Sequence, residues 1–141
     1  MKRLMVTSIV LFAGISGKAM ALDCQGNSQL KDPALIADAI SNKTVCAMLG
    51  SQKWQEFHGA GGSLIDYKKG PTDPMEKTKQ VGTWSTSGNG GNSKVTYNYG
   101  TGGSPSYKVH LKGGTYTFCG IGGAPTVDVT LLSGQVSCGF K

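Results

Sequence analysis

From residue 43 onward, hydrophobic and polar positions alternate in short runs separated by glycine-rich breaks. Val95, Tyr97 and Tyr99 fall on one side of such a run. So do Tyr107, Val109 and Leu111, then Tyr116 and Phe118, then Val127, Val129 and Leu131. Between them stand Thr96, Asn98, Lys108, His110, Lys112, Thr115, Thr117, Asp128 and Thr130. Successive side chains of a strand point to opposite faces, so the pattern predicts strands with one apolar and one wet face, as in an antiparallel sheet. Strands are predicted over 44–48, 53–58, 64–68, 80–85, 94–99, 107–112, 115–120, 126–132 and 135–139. Gly113-Gly114 suits a two-residue primed turn, in which both positions need positive φ. The short, regularly spaced strands predict an up-and-down meander, either closed into a small barrel or left open as a curled sheet.

Ahead of the strands, Asp32-Pro33 predicts a helix start. Asp32 can cap free N–H groups, and Pro33 suits the first helical position, where its missing N–H costs nothing. Leu35, Ile36, Ala39 and Ile40 form one apolar stripe. So short a helix draws its stability from packing, and the sheet is the surface on offer. The expected fold class is therefore mainly β, an antiparallel meander with one short N-terminal helix.

The extreme N-terminus changes the picture of charge and compartment. Lys2 and Arg3, an apolar run over 5–15 and the A-x-A pattern Ala19-Met20-Ala21 predict a signal peptide over 1–21, leaving a single domain over 22–141. Its removal takes three of the 14 basic residues and none of the eight acids, so the net charge falls from +6 to about +3. That is a weak argument for nucleic acid. The short row Lys108, His110, Lys112 adds little, because the aromatics alternate to the opposite face. No other apolar run approaches the roughly 20 residues needed to span a bilayer, so no transmembrane segment is expected in the mature chain. The expected location is the periplasm or the extracellular space.

Cys24, Cys46, Cys119 and Cys138 form an even set behind an export signal and predict two disulfides. Cys24–Cys46 with Cys119–Cys138 is the favoured pairing, since each closes a short loop. Cys24–Cys138 with Cys46–Cys119 is the alternative, and the sequence does not decide. Clustered C-x-x-C spacings are absent, so no metal or other cofactor is expected.

Candidate chemistry concentrates in 53–84. On the strand over 53–58, Trp54, Glu56 and His58 project from one face. Asp66 joins them if 64–68 is the hairpin partner. Glutamate, histidine and aspartate are the material of general acid–base catalysis or of a metal site. A surface ion pair beside a half-buried tryptophan is the simpler reading, and no nucleophile signature such as G-x-S-x-G accompanies the group. Trp54 and Trp84 either anchor the core or line a pocket. The tyrosines at 67, 97, 99, 107 and 116 read as core, with hydroxyls reaching a rim where phenol rings suit binding. The turn-rich run Lys68-Lys69-Gly70-Pro71-Thr72-Asp73-Pro74 reads as a solvated loop. The tentative binding set is Trp54, Glu56, His58, Asp66, Tyr67 and Trp84.

The runs C-A-x-x-G-x-x-x-W-x-E-x-H from Cys46 to His58, D-Y-K-K-G-P-x-D-P from Asp66 to Pro74 and V-G-T-W from Val81 to Trp84 resemble a group of small exported proteins of Burkholderia and related proteobacteria that carry no assigned function. The resemblance implies an exported bacterial protein and brings no catalytic residues with it. The expected function is non-enzymatic: a binding or inhibitor-like module for a protein or cell-envelope partner. The alternatives are a carrier with a small ligand in a barrel pocket, and a small hydrolase using Glu56, His58 and Asp66.

Overall fold

The computed structural model describes residues 24–66 and 79–140. The predicted signal peptide, Tyr67 and the turn-rich run over 68–74 lie outside them. The strands are β1 (Lys43–Leu49), β2 (Gln52–His58), β3 (Ser63–Asp66), β4 (Lys79–Ser87), β5 (Lys94–Asn98), β6 (Ser106–Lys112), β7 (Thr115–Ile121) and β8 (Val127–Ser133). Each pairs antiparallel with the next, and β8 returns to β1, so the sheet closes into an eight-stranded barrel. The closing ladder runs from Lys43 opposite Ser133 to Ala47 opposite Val129. The predicted alternation is realised: Val45, Val95, Tyr97, Val109, Phe118 and Val127 are buried members of one core. Gly113 and Gly114 turn the β6–β7 hairpin at φ values of 57° and 80°.

Helix α1 (Pro33–Ile40) begins as the sequence predicts, with the Asp32 carboxylate accepting from the Ala34 N–H at 2.8 Å. It packs against β4, β5 and the start of β1, and so fills one end of the barrel. Ile36 and Ile40 are fully buried there. Burying two such side chains contributes about 2 kcal/mol each, which offsets the poor intrinsic stability of so short a helix. Leu35 departs from the expected stripe. It is 52% exposed, because the contact face centres on Ile36 and Ile40 and turns Leu35 outward.

The predicted ninth strand over 135–139 does not form. β8 and β1, the strands this segment follows and crosses, already have a neighbour on each side and offer it no edge. The C-terminal tail instead crosses the outer face of β1 and β2. Thr44 Oγ1 donates to the Gly134 carbonyl at 2.7 Å and accepts from the Val136 N–H at 3.1 Å. Gln55 Oε1 accepts from the Cys138 N–H at 2.9 Å. At the other terminus, the lead-in runs beside β6 where its ladder with β5 stops, and the Leu30 N–H donates to the Val109 carbonyl at 2.8 Å.

These two wrappings set the disulfides, Cys24–Cys119 and Cys46–Cys138. The favoured short-loop pairing is thus corrected, and so is its alternative. Cys46 and Cys119 point outward from the barrel, and each meets the terminal segment lying over it. The bonds close loops with sequence separations of 95 and 92. In the loop-entropy model, closure of this length stabilises a chain by about 4–5 kcal/mol, against about 3 kcal/mol for a short loop. The wrapping also corrects the expected wet row of Lys108, His110 and Lys112. His110 is only 4% exposed under the lead-in, with Nδ1 2.8 Å from Ser28 Oγ.

Peptide mapping without reduction is expected to return Cys24 linked to Cys119 and Cys46 linked to Cys138. At Gly120 an added Cβ would collide with the Ala124 carbonyl in the β7–β8 connection. Gly120→Ala is therefore expected to cost about 2 kcal/mol and to lower the melting temperature by roughly 10 °C, read by thermal denaturation.

Candidate functional site at the open end of the barrel

Among the described residues, the end opposite the helix is open. Here β1 turns into β2, β5 into β6 and β7 into β8, and a cavity of about 50 Å³ enters the interior between them. Alternation along β2 brings Trp54, Glu56 and His58 to this cavity. Successive inward residues lie about 7 Å apart along a strand, so the three sample increasing depth. Trp54 and Glu56 are half-buried, and His58 is 1% exposed. The expected surface ion pair is therefore corrected: closure of the sheet turns this face inward.

Each polar group has a defined partner. The Tyr99 hydroxyl donates to the Glu56 carboxylate, 3.0 Å from Oε1 and 2.9 Å from Oε2. His58 Nδ1 lies 3.0 Å from the Glu56 carbonyl oxygen, and Nε2 lies 2.9 Å from Tyr97 Oη. A carbonyl can only accept, so Nδ1 carries the proton and Nε2 accepts from the Tyr97 hydroxyl. Burial pulls the His58 pKa down to about 4, against a smaller opposing effect of backbone carbonyl hydrogen bonds. The imidazole is thus neutral near pH 7. Burial raises the pKa of Tyr97, Tyr99 and Tyr107, and the negative charge of Glu56 raises each further. All three phenols stay protonated.

The rings form a connected series. Tyr97 meets His58 edge to face at 5.4 Å between centroids and Tyr107 at 5.8 Å, and it stacks with Tyr99 at 6.3 Å. Tyr107 continues to Phe118 at 5.9 Å. Val45, Ala47, Pro125, Val127 and Val129 complete the described wall. No protein-family model, no curated protein and no solved structure matches the chain. The reading of the site accordingly rests on its own geometry.

Of the residues singled out from sequence, Trp54, Glu56 and His58 come together at the cavity. Asp66 stands opposite Glu56 in the β2–β3 ladder. Trp84 packs against His58 at 5.6 Å, and its indole N–H donates to the Gly59 carbonyl at 3.0 Å. It belongs to the buried core and does not line the cavity. Tyr97, Tyr99, Tyr107 and Phe118 were outside the sequence-derived set, although their alternation already placed them on the face shared with the core. Both His58 nitrogens are bonded away from the Glu56 and Asp66 carboxylates, so these residues do not form a proton-relay geometry. Among the described residues no cluster of three or more His, Cys, Asp or Glu is arranged to hold a metal ion.

The depressed His58 pKa carries a sign. The unfolded chain takes up a proton near the ordinary value of 6.5, and the folded chain only near 4. Between these values the unfolded state binds more protons, so stability falls as pH falls, by about 3 kcal/mol across the window. Urea melts from pH 7 to 4 are expected to show this loss, with His58→Gln flattening the dependence by about one proton.

Proposed function

We propose that the protein is an exported binding protein that holds a small ligand in the open end of its barrel, with no catalytic step. The observation that carries this reading is the unfilled cavity between the aromatic residues and Glu56. An eight-stranded barrel has an interior just wide enough to fill with side chains or to hold one small ligand. Among the described residues the helix end is filled and the mouth is not. Pockets for drug-sized ligands run to roughly 300–1,000 Å³. A cavity of about 50 Å³ suits a few heavy atoms, either a very small molecule or the terminal group of a larger one.

Export to the periplasm or the extracellular space is supported by the signal-like segment over 1–21 and by the two disulfides, which persist in oxidising compartments. Among the described residues no helix is long and apolar enough to cross a membrane. A protein or cell-envelope partner is a second reading, supported by Met48 and Leu49, which are exposed where β1 turns into β2 beside the mouth. On that reading a terminal group of the partner enters the mouth and the rest lies over the hairpin.

Native mass spectrometry of the protein isolated from its own host tests the proposal. A stoichiometric small-mass adduct is expected. Ala47→Leu, which fills the cavity wall, is expected to lose the adduct while keeping a cooperative melt. A bare wild-type protein whose melting temperature is also indifferent to host extract would overturn the reading.

A further inference from the structure

We infer that Cys46–Cys138 is a thiol-exchange site: an incoming dithiol opens this bond in the folded protein, and its opening releases the C-terminal tail from the barrel wall. This goes beyond the small-ligand reading and does not depend on it. Burial alone does not separate the two disulfides. Cys46 and Cys119, on the wall, are 8% and 6% exposed, and Cys24 and Cys138, on the covering segments, are half-buried. Access separates them. Cys46 and Cys138 both line an open groove of about 350 Å³ bounded by β1, β8 and the tail, beside Met48, Leu132 and Phe140. The carboxylate in that lining, Asp128, accepts from the Thr117 hydroxyl 2.6 Å away. Cys24 and Cys119 line none of the described cavities. Exchange needs a thiolate to reach one of the two sulfurs, and the groove gives it room.

Tethering separates the bonds as well. None of residues 134–140 is buried, Val136 is 38% exposed, and the tail forms neither a strand nor an isolated bridge. Thr44 and Gln55 hold it through their side chains. The lead-in that carries Cys24 instead bridges Gln29 to His110 and runs into α1, where Ile36 and Ile40 are fully buried. Opening Cys46–Cys138 therefore costs the contacts of the tail and not those of the barrel, a local opening rather than global unfolding. The β1–β2 and β1–β8 ladders stay in place. Thr44, Gln55 and the Cys46 thiol become accessible on strands whose inner face carries Ala47, Trp54 and His58, so the strap and the cavity share a wall. In the exchange, a thiolate of the dithiol attacks Sγ of Cys138, the more exposed residue of the pair. A mixed disulfide forms, and Cys46 leaves as a thiolate that takes a proton from water. The second thiol of the reagent then displaces Cys138 and closes the reagent's own disulfide, so the two electrons and two hydrogens of the dithiol end on the cysteine pair.

The test is a graded titration of the disulfide-bonded protein with dithiothreitol, without denaturant, followed by alkylation and peptide mapping. Cys46 and Cys138 are expected to be alkylated about tenfold faster than Cys24 and Cys119, with the circular dichroism of the barrel unchanged. Hydrogen exchange on that form is expected to show lost protection at the Val136 and Cys138 N–H groups and kept protection in the β1–β8 ladder. The double variant Cys46→Ala, Cys138→Ala is expected to give the same exchange pattern and a cooperative melt. Opening of both disulfides together, of Cys24–Cys119 first, or of either only under denaturant overturns the inference. So does a singly reduced protein in which Val136 and Cys138 stay protected, and so does loss of the ladder along with the tail.

Discussion

The ladder between β1 and β8 is the constraint on which the rest of the structure depends. It joins Lys43 to Ser133 and Ala47 to Val129, and it leaves β1 and β8 each with a neighbour on both sides. The C-terminal tail therefore lies over the barrel's outer surface, whereas the lead-in takes the stretch of β6 that the β5 ladder leaves unpaired, with Gln29 bridged to His110. Both segments bury positions that an isolated strand would leave wet. Thr44 and Gln55 are buried under the C-terminal tail and His110 under the lead-in. A buried polar group without a partner costs about 1–3 kcal/mol, and each of these three has one. The disulfides fasten the same two wrappings, with one cysteine on a strand and the other on the segment that covers it.

Closure also makes the inside of the barrel unequal along its length. Ile36, Ile40, Leu64 and Trp84 fill the helix end with apolar volume. At the other end tyrosines take over, and a carboxylate is admitted. β2 records the gradient in three residues. Trp54 and Glu56 are half-buried, whereas His58 is sealed and held neutral. A carboxylate at the depth of His58 would lose nearly all its hydration, and one strand step nearer the mouth it keeps some water together with the Tyr99 hydroxyl.

Much of this was legible in the sequence. Eight of the predicted strands exist, because period-two alternation survives wherever one face is buried and glycine marks the turns. The helix start was legible because Asp32-Pro33 encodes its own cap. The segment over 135–139 carries the same alternation and is no strand, since strand formation needs a partner and closure leaves none. His110 and the cysteine pairing were illegible for a related reason: both depend on which segment lies over the barrel wall, and no local pattern specifies that. At the site, the shared face of Trp54, Glu56 and His58 followed from spacing. Their meeting with Tyr97, Tyr99 and Tyr107 follows from β2 facing β5 and β6 across a closed interior, which is a property of the whole barrel. Leu35 shows the limit of a helical stripe, which gives a face but not the centre of its contact.

The Tyr97–His58 hydrogen bond ties the scaffold to the mouth. Because burial keeps the imidazole neutral and its Nδ1–H donates to the Glu56 carbonyl, Nε2 is an acceptor, and the Tyr97 hydroxyl is directed to it. That fixes one end of the Tyr97 ring, which Tyr99 stacks on and Tyr107 meets edge to face. A charged imidazole would present a donor at Nε2 instead, and the tyrosine could no longer donate there. The same loss of hydration that makes the interior a stable core therefore keeps His58 neutral, and the Glu56 carbonyl then sets its tautomer. Through it, desolvation sets the orientation of the rings around Glu56, so the shape of the mouth and the stability of the barrel are two consequences of one excluded volume of water.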